Sequence, residues 1–133
     1  MADGAVEGAV RGTLRLEGAA LLGLALLGYG LSGGGWGMFA LLILVPDLVI
    51  LAYLAGPRPG AVVYNAVHAT PGPALLLAAG LAWPGTAAWA VPLALIWFAH
   101  IGADRALGYG LKYPGGFWMT HLGRIGRPGR QGP

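Results

Sequence analysis

The stretch WGMFALLILVPDLVILAYLA, from Trp36 to Ala55, is 20 residues long and contains a single charged residue, Asp47. Crossing the hydrocarbon core of a bilayer takes a helix of about 20 mostly apolar residues. A surface helix of a soluble protein would carry polar residues along one whole face. This stretch therefore predicts a transmembrane helix.

Three further stretches have the same apolar character, and they cover residues 12–31, 60–81 and 86–107. Short links rich in Gly and Pro separate the four stretches, so consecutive helices must run antiparallel. Of the 133 residues, 56% are hydrophobic and 10% are charged, whereas a soluble domain has about 25% charged residues. We therefore predict an all-α fold, a polytopic membrane four-helix bundle.

The positively charged residues predict how the bundle is oriented. They lie near the start of the first span, between the second and third spans, and at or after the end of the fourth. Because cytoplasmic loops carry an excess of Lys and Arg, this pattern makes the N and C termini cytoplasmic. Residues 1–11 would form an N-terminal cytoplasmic segment, and residues 108–133 a basic tail lying partly along the membrane surface. The last eight residues are predicted to be disordered. Lipid head groups, not nucleic acid, are the expected partners of these basic residues: Arg11, Arg15, Arg58, Arg105, Lys112, Arg124, Arg127 and Arg130.

Six polar residues lie inside the predicted spans, at depths of roughly 5 to 13 Å from the cytoplasmic end at 1.5 Å per residue. Polar groups at such depth are costly in lipid, so they usually face the interior of a bundle and often mark function. The sequence therefore predicts one polar cluster that opens toward the cytoplasm. Its members are Glu17, Asp47, Asn65, His68, His100 and Asp104.

Spacing places some of these residues on common helix faces. His100 and Asp104 are four residues apart, and Asn65 and His68 are three apart, so each pair shares a face. A carboxylate one turn from a histidine can fix the tautomer of its ring or join it in holding a metal.

Two aspartates of the cluster have a notable neighbour in the sequence. Pro46 precedes Asp47, removes a backbone hydrogen bond and can leave a free carbonyl near the carboxylate. Arg105 directly follows Asp104 and is expected to reach the head groups or to pair with Glu17.

Four motifs resemble those of a bacterial family of small four-helix membrane proteins known only as a domain of unknown function. The likeness covers residues 14–125 and implies four spans in the bacterial cytoplasmic membrane, but no activity. The motifs are RLEG (Arg15–Gly18), PDL (Pro46–Leu48), YLAGPRPGAVVYNAVH (Tyr53–His68) and HIGADRALGYGLKYPGGFWMTHLGRIG (His100–Gly126).

A second, weaker resemblance is to integral-membrane metal-dependent hydrolases. Those enzymes carry a Pro-Asp near one helix end, a histidine on a later helix, and a His-x-x-x-Asp-like pair followed by Tyr-Gly. The first helix here lacks their denser His and Asp content, so the resemblance implies less than a complete two-metal site. The matching elements are Pro46-Asp47, His68, His100 with Asp104, and Tyr109-Gly110.

Several functions fit these residues, and the sequence leaves open whether the chain is an enzyme. In the first, a divalent metal activates water to hydrolyse a lipid or phosphoester, with Arg58 and Lys112 contacting an anionic head group. In the second, the chain is a non-enzymatic accessory or assembly subunit of a larger membrane complex, or a homo-oligomer. In the third, His68 and His100 bind haem, or the chain transports protons or small solutes. The metal ligands predicted for the first function are Asp47, His68, His100 and Asp104.

Overall fold

The computed structural model of this chain describes residues 4–126. Residues 1–3 and 127–133 lie outside the described part, and with them most of the tail end that is predicted to be disordered. The prediction of an all-α bundle is confirmed, with one small hairpin beside the helices. In chain order the elements are α1 (Gly8–Leu31), α2 (Trp36–Leu42), a 3₁₀ helix (Val45–Ala55), α3 (Pro57–His68), α4 (Pro71–Ala82), α5 (Ala87–Leu107), β1 (Met119–Thr120) and β2 (Gly123–Arg124).

Three helical stretches are long and apolar enough to cross a membrane: Gly8–Leu31, Trp36–Ala55 and Ala87–Leu107. Many of the large apolar side chains on them point away from the protein, and Leu31 and Leu54 are 80% and 89% exposed. Such exposure would be unfavourable in water and is ordinary against lipid. The arrangement is that of a membrane protein.

Within the second stretch, the helix changes type at Pro46. Pro46 has no N–H to donate, and the N–H of Asp47 bonds to the carbonyl of Leu44 at 3.1 Å instead of to Ile43. The chain continues as an 11-residue 3₁₀ helix, although runs of more than three or four residues are uncommon. The carbonyl of Ile43, which an α-helix would bond to Asp47, therefore becomes available to another donor.

The stretch predicted as one span over residues 60–81 consists of two helices, α3 and α4, of 12 residues each. The break follows from Pro71, which cannot donate to the carbonyl of Val67, and from the extended conformation of Ala69. Donors from α5 replace the lost bonds. Trp97 Nε1 donates to Val67 O at 2.7 Å, and Arg105 Nη2 donates to His68 O at 2.7 Å.

Helix α5 lies at the centre, with α1 and α4 packed against it in antiparallel fashion. Glycines allow a close approach of α1 and α5. A β-carbon at Gly102 would lie 2.6 Å from the backbone nitrogen of Leu22, and one at Gly18 would overlap the β-carbon of Arg105. Small residues at a helix interface let backbones approach in this way in membranes.

The tail folds back onto the end of the bundle where α1 begins and α5 ends. Its hairpin pairs Met119 with Arg124, and the side chain of Leu122 is fully buried. The N-terminal segment fastens to it, because the N–H of Val6 donates to His121 O at 2.9 Å and Tyr113 Oη donates to Gly4 O at 2.8 Å. The described tail is thus a packed cap.

Candidate metal centre and adjoining cavity

Four side chains converge at the centre of the bundle, below the cap formed by the tail. One ligand atom from each of them lies within 4.8 Å of all the others. His68 and His100 are buried, while the two carboxylates are partly exposed. The 3₁₀ helix supplies the first residue, the end of α3 the second, and one turn of α5 the last two: Asp47, His68, His100 and Asp104.

The distances between these atoms match those between the ligands of one metal ion. The Nε2 atoms of His68 and His100 are 3.1 Å apart, and Asp47 Oδ1 lies 3.3 Å from each. Asp104 Oδ2 lies 3.7 Å from His68 Nε2 and 3.6 Å from His100 Nε2. Four ligands at the usual 2.0–2.1 Å from a tetrahedral zinc would be about 3.3–3.4 Å from one another. The space between the four atoms therefore fits one ion.

Each imidazole is oriented by a main-chain carbonyl on its other nitrogen. His68 Nδ1 lies 2.9 Å from Tyr64 O, and His100 Nδ1 lies 2.7 Å from Ile43 O. A carbonyl oxygen can only accept, so each Nδ1 must carry the proton. The Ile43 carbonyl is the one that the 3₁₀ helix leaves available.

The protons on Nδ1 determine what the centre presents to its interior. In a neutral histidine with a protonated Nδ1, Nε2 has a lone pair and no hydrogen. The centre therefore presents two imidazole lone pairs and two carboxylate oxygens, all acceptors, with no donor among the four. Such a set requires a proton or a metal ion between its members.

Tyr64 supports the centre from one side. Its ring stacks on the imidazole of His68 with the centroids 3.8 Å apart and the planes 5° from parallel. Its hydroxyl donates to Asp104 Oδ2 at 3.4 Å. Outer contacts of this kind orient metal ligands in known sites.

A cavity of about 290 Å³ adjoins the centre, and Asp47 and Asp104 form part of its wall. Lys112 and the rings of Tyr64 and Phe117 form another part. Burial lowers the pKa of Lys112 to about 8, against the opposing effect of the two carboxylates. The centre is thus reached through a polar opening that already contains one cation.

Comparison with protein families shows that residues 11–125 match a family described as domain of unknown function DUF4260. The chain belongs to the DUF4260 family. No curated protein and no solved structure matches it. The resemblance inferred from the motifs is confirmed, and the architecture and centre described above are those of a DUF4260 protein.

Of the six residues predicted to form the polar cluster of this DUF4260 chain, four lie in the centre and two do not. Asn65 turns toward the tail, where Nδ2 donates to Lys112 O at 2.8 Å and Oδ1 accepts from the N–H of Lys112 at 2.7 Å. Glu17 is exposed on α1, and within the described residues its side chain makes no hydrogen bond or ion pair. Asn65 thus anchors the cap, and Glu17 lies apart from the centre.

The basic residues discussed from the sequence also occupy different places. Lys112 lies in the cavity, whereas Arg58 is exposed at the start of α3. The ion pair expected between Arg105 and Glu17 is absent among the described residues. The guanidinium of Arg105 binds no carboxylate in the described part of the chain and caps two carbonyls, those of His68 and Tyr109, at 2.7 and 2.9 Å.

Sequence reasoning missed Tyr64 as a partner of the centre in this DUF4260 chain, and Trp97 as a donor to the broken helix beside it. Tyr64 precedes His68 by four residues, so the spacing predicts that the two side chains share a helix face. Trp97 gave no such signal, because its role depends on a broken helix elsewhere in the chain.

Proposed function

We propose that this protein is a multi-pass protein of the bacterial cytoplasmic membrane that binds a divalent metal and hydrolyses a lipid ester or a phosphoester. The observation that carries the proposal is the set of four inward-facing acceptors at the centre, two imidazole Nε2 atoms and two carboxylate oxygens. Two imidazoles with two carboxylates suit Zn²⁺, Fe²⁺ or Mn²⁺ better than the all-oxygen sites that Mg²⁺ and Ca²⁺ prefer.

The centre suits hydrolysis because its carboxylates also line a cavity. A divalent metal held there would lower the pKa of a bound water toward 7 and so supply hydroxide. One water is consumed: its hydroxyl joins the phosphorus or acyl carbon, the ester bond breaks, and its remaining proton goes to the alcohol oxygen that leaves. The carbonyls of Ile43 and Tyr64 fix the tautomer and the orientation of both imidazoles, so that Nε2 of each ring faces the centre.

The positive charges support an orientation with both termini in the cytoplasm. The segment before α1 and the tail after α5 contact each other, so the basic residues at both ends of the chain share one end of the bundle. With that end inside the cell, the cavity would open near the inner leaflet, where lipid head groups meet the cytoplasm.

A second candidate function is that of an accessory subunit, and one observation favours it. Neither α2 nor the 3₁₀ helix contains a buried residue, so one side of the described bundle is covered only by its surroundings. Another membrane protein, or a second copy of this chain, could pack there. The centre would then have a structural role and hold the helices of this chain together. Axial ligation of haem by both histidines does not fit, because the carboxylates of Asp47 and Asp104 lie 3.3–3.7 Å from both Nε2 atoms and leave no room for a macrocycle between the rings.

Elemental analysis tests the metal proposal. The protein would be purified in mild detergent under metal-sparing conditions, next to His100→Gln and Asp47→Asn. Two matched controls change the same residue types away from the centre: Glu17→Gln, and His121→Asn, in which asparagine can still accept the hydrogen bond from Leu111. We expect about one metal per chain in the wild type and both controls, and less than a tenth of that in the two centre variants. Metal-free wild type would overturn the proposal and favour the accessory role.

A further inference from the structure

Two carboxylates and one cation line the cavity beside the centre. Asp47, Asp104 and Lys112 share its lining with the rings of Tyr64 and Phe117. At about 290 Å³ the cavity is at the small end of ligand sites, so it suits a head group and not a whole lipid.

The main chain of Lys112 is fixed in place. The side chain of Asn65 hydrogen-bonds both the N–H and the carbonyl of Lys112, at 2.7 and 2.8 Å. The backbone of Lys112 also forms an antiparallel β-bridge with Thr120. The side chain is only 4% exposed, and its Nζ lies 4.0 Å from the ring centre of Phe117 and 4.8 Å from that of Tyr64. The ammonium group is therefore held in position before any ligand arrives.

The ammonium group makes no direct ion pair in the described part of the chain, although Asp104 and Asp47 are near enough to attract it. With a pKa of about 8 it is about nine-tenths charged at pH 7. A buried charge without a partner is costly. The face of an aromatic ring offsets only part of that cost.

The balance of charge around the cavity changes when a metal binds. Once a metal displaces the proton from the centre, Asp47 and Asp104 carry two negative charges, and Lys112 and Arg105 carry two positive charges nearby. A divalent metal therefore leaves two positive charges in excess beside the cavity. An anion of one or two negative charges would restore the balance.

We propose that this cavity binds the phosphate group of the substrate, with Lys112 Nζ contacting a phosphate oxygen. The inference rests on the proposed function and narrows it to phosphate esters, because an uncharged acyl ester would leave Lys112 unpaired. Lys112 recognises and positions the phosphate, and Asn65 positions Lys112.

The first experiment uses the wild type, because Lys112 is the only lysine in the chain. Acetylation of its amine by acetic anhydride is followed by mass spectrometry, with an added lysine-containing reference peptide as internal standard. We expect inorganic phosphate to slow acetylation of Lys112 at least fivefold and to leave the standard unchanged. Phosphatidylglycerol in mixed micelles and soluble glycerol phosphate are compared in the same way. Protection by the lipid alone assigns a lipid head group, and protection by both assigns the phosphate group itself.

The second experiment measures phosphate binding by calorimetry on the metal-loaded protein. Lys112→Met keeps the length of the side chain and removes its charge, and we expect at least tenfold weaker binding with unchanged metal content. Arg58→Met removes an exposed charge of the same sign and should bind as the wild type does.

The two proposals fail separately. Metal without protection of Lys112 by any of the three compounds would overturn the phosphate site and leave the metal centre standing. Protection without bound metal would overturn the hydrolase and leave the anion site. The labelling experiment needs no variant, so poor folding of Lys112→Met would not spoil the test.

Discussion

The Nε2 atoms of His68 and His100 face each other at 3.1 Å, while the Nδ1 atom of each ring donates to a main-chain carbonyl. Two lone pairs so close repel each other unless a cation lies between them. The pair therefore links the stability of the fold to the occupancy of the centre.

Metal should stabilise the folded protein through this pair. At a free metal concentration one hundred times the dissociation constant, binding adds about 2.7 kcal/mol to the free energy of unfolding. We expect a chelator to lower the thermal midpoint of the wild type and to leave that of His68→Gln unchanged. Glu17→Gln, an exposed carboxylate change, should respond to the chelator as the wild type does. An equal response of His68→Gln and wild type would contradict the linkage.

Arg105 should contribute to stability as a cap on the broken helix. Arg105→Met keeps the aliphatic stem but leaves the carbonyls of His68 and Tyr109 without their donors. Loss of the donor to the part-buried carbonyl of His68 costs about 1–3 kcal/mol, whereas the contact with Tyr109 is exposed and adds little, so we expect a loss of about 1–3 kcal/mol. The free energy would be measured by unfolding with SDS in mixed micelles. Arg124→Met, at an exposed position on β2, should change it by less than about 0.5 kcal/mol.

The contact between α1 and α5 can be tested with two glycines. Gly102→Ala places a methyl group 2.6 Å from the backbone nitrogen of Leu22, where only a shift of a helix can relieve the overlap. We expect destabilisation of about 1–3 kcal/mol in the same micelle assay. Gly23→Ala adds its methyl group where nothing lies within 4 Å, and it should be neutral or stabilising by up to about 1 kcal/mol. A similar loss in both variants would argue against close packing.

Acidification should loosen the cap through His121. Its Nδ1 accepts the N–H of Leu111 at 2.9 Å, and burial, together with nearby Arg105, lowers its pKa. The folded state therefore binds a proton less readily than the unfolded state, and stability falls as the pH drops from about 6.5 toward the lower folded pKa.

His121→Asn isolates this effect, because asparagine can accept the same hydrogen bond without titrating. With chelator present in both samples, the wild type should lose more stability than the variant between pH 7.5 and 5.5. Exchange of the Leu111 amide hydrogen should accelerate over the same interval in the wild type only. Identical pH profiles would show that His121 does not control the cap.

Hydropathy and polar positions were sufficient to predict the all-α class and to place His68, His100, Asp47 and Asp104 near one another. Each of these residues is polar at a position where lipid would otherwise penalise it, so few arrangements were available to them. Pro46 further indicated that a carbonyl would be left without its usual partner. In an α-helix the donor missing at Pro46 would leave the Leu42 carbonyl free; in the structure the switch to a 3₁₀ helix also frees the carbonyl of Ile43, and that carbonyl orients His100.

Other features could not be read from the sequence, because they depend on distant partners. Depth placed Glu17 level with the cluster, but depth does not determine which way a side chain points around the helix axis. The break between α3 and α4 requires Trp97 and Arg105 to replace the lost backbone hydrogen bonds, and no sequence pattern near Pro71 indicates these two donors. Asn65 shares a helix face with His68, but the tail that returns over the bundle offers it a better partner.

The 3₁₀ helix has a further consequence for the shape of the cavity. With three residues per turn, side chains three apart stand in a straight row, so Asp47, Ile50 and Tyr53 lie on the same side. The first two line the cavity, and the third packs edge-on against Phe117, with ring centres 5.4 Å apart. In an α-helix each step of three would rotate the side chain by about 60°, carrying Tyr53 about 120° away from Asp47. The helix type thus determines whether the candidate metal ligand Asp47, the cavity-lining Ile50 and Tyr53 lie in one row. A change of this segment from a 3₁₀ helix to an α-helix would abolish the cavity without any substitution.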